Sequence, residues 1–321
     1  MIKICAIGEL LIDFTPVGKS DQGNNLFEQN PGGGPANVAV ATSMLGIDTA
    51  FIGKVGKDRF GMALQKALTD KKVNMKGLVF SDNVNTTLAF VHLDENNDRS
   101  FSFYRKPGAD ITITDSEVDY HLIDDCELLH FSSVSMTDEP SRTTTVNAVK
   151  YAKEKGKLIS FDPNLREPLW NSLSEAKEVI QSMLTYADIL KISEEELLFL
   201  TGENDLLKGC RIIQKLGVSL IFATLGKKGA MYLYKDITGS QKTYDVKVVD
   251  TTGCGDSFVG AVLSKIMTRE QRLEHLSKDE LDEINRFANL AGSLTAMKKG
   301  GVPAMPSLQE VIEFGKKAVM L

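Results

Sequence analysis

The run Asp250 to Phe258, DTTGCGDSF, holds the residues of this chain best suited to chemistry. VKVV before it reads as strand and SFVGAVLSKIM after it reads as helix, so the motif opens a helix. Glycine permits unusual backbone angles there, and the N–H groups of Gly253, Cys254 and Gly255 can converge on a phosphate at the positive end of the helix dipole. A carboxylate directly behind such an anion hole can accept the proton of a hydroxyl that attacks a transferring phosphoryl group, and Asp256 stands at that position. An aspartate at a helix start can equally be a simple cap. A second motif bears on the choice. Gly32-Gly33-Gly34-Pro35-Ala36-Asn37 gives a tight backbone entry to another helix, with proline in its first turn and the Asn37 amide placed to meet a polyol.

In this order and separation the two motifs closely resemble the signatures of the ribokinase-like, or phosphofructokinase B, family of carbohydrate kinases. The resemblance runs from GELLIDF to KKGGVPAMPS, and it is strongest toward fructokinases. It implies a sugar floor of Asp13, Gly33, Gly34 and Asn37, with Tyr104 and Arg105 of FYRKPGAD approaching the substrate from a lid. The motif Asp162-Pro163-Asn164-Leu165-Arg166 implies a charge-stabilising role for Arg166. The resemblance also implies that Lys191 and Glu196 serve the nucleotide side: Ser193 stands where the family usually has asparagine, while Glu196 keeps the acidic position expected to order water around ATP-bound Mg²⁺. Thr224, Gly226 and Gly229 match the nucleotide loop, and Asn289 lies at the adenine side. Asp250 and Thr252, with the turn Lys299-Gly300-Gly301, match the region where such kinases often hold a monovalent cation such as K⁺. Cys254 replaces the usual alanine, either as a small filler or as a redox-sensitive thiol at a helix start.

These motifs need a scaffold. Short β-branched runs alternate with amphipathic stretches: IKICAIG, a helix from about 35 to 45, AFIGKVG, then a helix from about 58 to 71. That is the βαβ pattern of a parallel sheet covered by helices. It resumes at Leu128–Ser132, Leu158–Asp162, Ile189–Ile192 and Leu220–Leu225, each expected to lead into helical sequence. Two segments interrupt it. Residues 14–30 are polar and turn-rich, and 86–104 read as two strands around the turn 94–98, with one apolar face that must cover something. A third hairpin leads into the anion motif, and two helices, about 278–297 and 308–317, close the chain. The expected architecture is one ribokinase-like domain over 1–321: a three-layer α/β/α sandwich with a mostly parallel sheet, and a small β-sheet lid from about 12–31 and 84–110.

Composition narrows the possibilities further. With 321 residues, 42% of them hydrophobic, the chain can bury a large core; its net charge of −6 is interleaved and offers no basic patch for nucleic acid or an anionic membrane. No window is apolar enough for a membrane span, and the N-terminus lacks the form of a signal peptide. Cys5, Cys126, Cys210 and Cys254 lie far apart without metal or disulfide spacing, which fits a reducing cytoplasm. The four histidines share no ligand spacing. The expected activity is transfer of the γ-phosphoryl group of ATP to a ketohexose, fructose first, with 2-keto-3-deoxygluconate next and ribose or a nucleoside after it. A regulator on the same fold would be expected to lose Asp256 or its flanking glycines, and a Rossmann dehydrogenase would need G-x-G-x-x-G where GELLIDF stands. The lid makes a homodimer an expectation too.

Overall fold

In the computed structural model, which describes residues 2–93 and 99–318, the chain folds as two sheets flanked by helices. The expected turn at 94–98 lies outside the described residues. The strands are β1 (Ile4–Ile7), β2 (Leu11–Lys19), β3 (Asn25–Gly32), β4 (Thr49–Gly56), β5 (Asn74–Ser81), β6 (Leu88–Leu93), β7 (Arg99–Tyr104), β8 (Leu128–Ser132), β9 (Leu158–Asp162), β10 (Ile189–Ser193), β11 (Leu220–Thr224), β12 (Ala230–Tyr234) and β13 (Ile237–Gln241). The helices are α1 (Gly34–Met44), α2 (Arg59–Asp70), α3 (Tyr120–Asp125), α4 (Ser141–Glu154), α5 (Leu173–Leu184), α6 (Glu194–Thr201), α7 (Leu206–Gln214), α8 (Cys254–Met267), α9 (Lys278–Ala296) and α10 (Leu308–Gly315).

The large sheet has the order β13-β12-β11-β10-β9-β8-β1-β4-β5, parallel from β5 to β11 and antiparallel over its last two pairs. Its central strands are apolar on both faces, as a doubly covered parallel sheet requires. In β8, Leu129 and Phe131 pack toward α3–α7, while Leu128 packs on the opposite side, where α1, α8 and α9 lie. Helix α8 is buried along most of its length between α1 and α9. These are the three layers that the βαβ rhythm predicts.

The smaller sheet, β3-β2-β6-β7, is the expected lid. Residues 14–30 supply much of two of its strands despite their polarity, because a small sheet outside the core leaves many of its side chains to water. Two local expectations change. VKVV forms no strand: Val248 and Val249 are exposed and lack a sheet neighbour, with Val249 N–H donating to Ala296 O at 2.8 Å. Nor does a helix follow β11. A tight turn, Gly226–Lys228, returns the chain directly into the β12–β13 hairpin.

Candidate active site

Two cavities open beside the start of α8. One, of about 510 Å³, is lined by Asp13, Gly33, Gly34, Asn37, Arg166, Lys191, Glu196, Thr252, Gly253 and Asp256, among others. The other, of about 440 Å³, is lined by Thr224, Gly226, Gly229, Cys254 and Asn289, together with Thr243, Val246, Val248 and Phe258. Their walls share Thr251 and Gly255. Nearly every site residue expected from the sequence therefore falls on one cavity or the other, with the anion motif between them.

The anion loop is shaped by Asp250, whose carboxylate accepts from Thr252 N–H at 2.7 Å and from Gly300 N–H at 3.0 Å. Gly253 follows at φ +78°, a left-handed angle, and a Cβ there would meet the Met305 methyl at 2.9 Å. The loop then enters α8, and Gly253, Cys254 and Gly255 at its start each line one cavity or both. Cys254 N–H also approaches Thr251 O at 3.3 Å, and the half-buried Cys254 thiol lies 4.0 Å from Asp250 O.

Asp256 sits in the first turn of α8, 9% exposed, and its Oδ2 accepts from Asn37 Nδ2 at 2.8 Å. Burial raises its pKa, opposed by Asn37 and by the positive charges of Lys191 and Arg166. Asp13 faces the same cavity from β2, not from the end of the core strand: β1 stops at Ile7 and the chain crosses into the lid before reaching it. Burial, helped by Asp256, Asp250 and Glu9 against Arg166, lifts Asp13 to about 7.

Lys191 and Glu196, expected on the nucleotide side, line the cavity that holds Asp256. Lys191 Nζ lies 3.2 Å from both oxygens of Asp162, and burial of its charge is outweighed by Asp162, Glu196 and Asp256, which raise its pKa. Glu196 uses one oxygen for Leu165 N–H and the other for Ser193 N–H, each at 2.8 Å. Ser193, the departure from the family pattern, completes a reciprocal cap by accepting from Glu196 N–H at 3.1 Å. On the nucleotide side, Asn289 donates to Asn285 O at 2.9 Å, which ties its amide within α9.

Two lid residues are not on a cavity wall. Arg105 is 4% exposed and donates from Nε to Asp110 at 2.7 Å, from Nη1 to Thr137 Oγ1 at 2.7 Å and from Nη2 to Val134 O at 3.0 Å. Its fork is spent on bracing the lid against the core. Tyr104 is 67% exposed and packs against Phe90, with ring centroids 5.4 Å apart. The register explains this: Asp13 pairs with Ala89 and Ala89 with Phe103, so that row faces the cavity and Phe103, not Tyr104, lines it. The aromatic side of the lid, with Phe14, Phe27 and Phe90, is the opposite face.

Phe103, Asp162 and Glu9 are among the further residues on this cavity that the sequence motifs gave no role. Asp162 was visible as the first residue of its motif, and Phe103 follows from strand alternation once the register is known. Burial lifts Glu9 to about 7, opposed by backbone N–H groups and by Arg105.

A family model described as pfkB family carbohydrate kinase matches residues 1–308. The chain belongs to that family. It is 42% identical over 316 residues to probable fructokinase-2 of Arabidopsis thaliana, covering 98% of this chain and 95% of that one. It is also 43% identical over 324 residues to fructokinase-1 of Zea mays, covering 98% of each. Among solved structures, a fructokinase double mutant from Vibrio cholerae O395 in fructose, ADP and potassium ion bound form superposes with a TM-score of 0.89 at 35% identity, covering 98% of both chains. The fructokinase of Xylella fastidiosa with bound ATP gives 0.90 at 31% identity, again over 98% of each.

Proposed function

We propose that this carbohydrate kinase transfers the γ-phosphoryl group of ATP to fructose, giving fructose 6-phosphate, with Asp256 as general base. The observation that carries the reading is the meeting of two cavities at Thr251 and Gly255, with Asp256 buried on one side and the Thr224–Gly229 turn on the other. A phosphoryl group crossing that seam passes the N-terminus of α8, where the N–H groups of Gly253 to Gly255 favour its charge. Asp13, Gly33, Gly34 and Asn37 hold the sugar, and Asn37 keeps the Asp256 carboxylate turned toward the hydroxyl it deprotonates. Arg166 and Lys191 offset the negative charge gathered there. Fructose is favoured over 2-keto-3-deoxygluconate because Arg105, the cation a carboxylate substrate would need from the lid, is spent on Asp110, Thr137 and Val134.

Among the described residues no group of three or more His, Cys, Asp or Glu side chains is arranged to hold a metal ion. Mg²⁺ would be held by the triphosphate and water near Glu196, where it supplies charge neutralisation. A K⁺ ion would sit beside the loop that Asp250 folds against Gly300. The same proposal places the protein in the cytoplasm as a homodimer joined through the lid; no helix among the described residues is long and apolar enough to cross a membrane. One assay set tests substrate and ion together: ADP release with fructose, 2-keto-3-deoxygluconate, ribose, tagatose and adenosine, each in potassium and in tetramethylammonium chloride. We expect fructose to be turned over fastest, and faster in potassium. Strong turnover of another acceptor with none on fructose would overturn the substrate, and equal rates in the two salts would remove the K⁺ assignment.

A further inference from the structure

Helix α1 begins without a side-chain cap of its own. Its N-cap is Gly33 and its first turn holds no acidic residue. A helix start leaves backbone N–H groups unbonded, and a buried one needs a partner. That of Gly34 is taken by Glu9, whose Oε1 accepts it at 2.7 Å from 25 residues away. The other oxygen of the same carboxylate accepts from Ser132 Oγ and Ser135 Oγ, each at 3.2 Å. Glu9 is 3% exposed. Although it borders the acceptor cavity, its carboxylate is engaged by these three donors.

Each donor belongs to a different element beside the acceptor cavity. Gly34 opens the helix whose Asn37 holds Asp256. Ser132 ends β8, and Ser135 lies in the turn whose Val134 carbonyl receives the lid arginine, Arg105. The backbone of Glu9 is also close: a Cβ on Gly33, at φ +113°, would stand 2.3 Å from Glu9 O. None of these partners lines the nucleotide cavity. A single carboxylate thus ties the sugar floor, the support of the base and the anchor of the lid, and leaves the ATP side alone.

We infer that Glu9 is a positioning residue for the acceptor half of the reaction, capping α1 from outside and, through Gly34 and Asn37, setting the aim of Asp256 at the acceptor hydroxyl. The inference rests on Asp256 as base and fructose as acceptor. Losing the tie frees the first turn of α1, and a shift of about 1 Å in a reacting group can cost on the order of 10²-fold in rate.

The test compares Glu9→Ala and Glu9→Gln by kcat and KM for fructose, with ADP affinity by calorimetry as the readout on the other side. Glutamine keeps an acceptor for Gly34 N–H and an amide that the rotatable serine hydroxyls can meet. Glu9→Ala is expected to lower kcat/KM for fructose about 50-fold, mostly in kcat, with ADP affinity within about twofold; Glu9→Gln is expected to recover to within about fivefold of the natural protein. A folded Glu9→Ala protein with unchanged kcat/KM, an equal loss of ADP affinity, or a glutamine variant as impaired as the alanine one would each overturn the role. Should Glu9→Ala fail to fold, Glu9→Asp keeps the charge but withdraws it by one methylene. It is expected to lose about tenfold in kcat/KM, and wild-type kinetics from it would refute the tie. If the natural protein uses another sugar, the substrate reading fails, and the same variants assayed on that sugar still decide Glu9.

Discussion

As the proposed general base, Asp256 borders the acceptor cavity next to Gly255 of the seam, and burial raises its proton affinity while Asn37, Lys191 and Arg166 keep the rise in check. Replacing it by asparagine preserves shape but removes the proton acceptor. Asp256→Asn is therefore expected to lower kcat by about 10³–10⁴-fold while ADP and fructose still bind, and near-normal kcat would refute the assignment. The direction of the pH dependence follows from the same shifts. Carboxyl groups with raised pKa values are protonated below them, so the base and the Asp13 acceptor are both lost as pH falls. The kcat/KM for fructose should climb with pH through about 7, the value to which Asp13 is lifted. A profile that stays flat from about pH 5.5 to 8 would contradict the placement of these carboxylates.

At the scale of elements, the lid is held by more than its own ladder. Arg105 and Asp110 form an ion pair with side-chain exposures of 3% and 1%, and Thr87 at the foot of β6 donates to the same aspartate. Removing one partner of such a pair leaves an uncompensated charge in a dry place. Arg105→Ala should thus destabilise the protein by about 3–5 kcal/mol in denaturant unfolding and raise the KM for fructose, because the strand that carries Phe103 loses its anchor. Unchanged stability with a KM effect alone would instead restore Arg105 to direct substrate contact. Ser193 illustrates a smaller element-level choice. Its hydroxyl and Glu196 cap α6 reciprocally, so the departure from the family's asparagine keeps the helix start intact.

For the whole molecule, the arrangement divides labour: the large sheet fixes α1 and α8 against each other, and the lid sheet brings Asp13 and Phe103 over them. The lid's far face carries Phe27, Phe90 and the exposed Tyr104, beside a Phe14 that packs on Phe60 of α2, and we propose this face as the surface for a second copy. Tyr104→Glu is expected to shift the light-scattering mass from dimer to monomer; a monomeric natural protein would dispose of the dimer proposal. Much of this was legible from the chain alone. The βαβ rhythm, the anion loop at the head of α8 and the Gly33–Asn37 entry to α1 depend on local periodicity and backbone chemistry, which neighbouring residues encode. What tertiary structure decided concerns partners distant in sequence. VKVV has strand composition, but a strand needs a neighbour to pair with and the fold offers it none. Arg105 turns inward because Asp110, Thr137 and Val134 converge behind it. Strand pairing across the lid selects Phe103 over Tyr104 for the cavity. Glu9, in sequence merely a charge interrupting an apolar strand, becomes the tie between Gly34, Ser132 and Ser135 only when folding closes more than 120 residues of separation, 123 to Ser132 and 126 to Ser135.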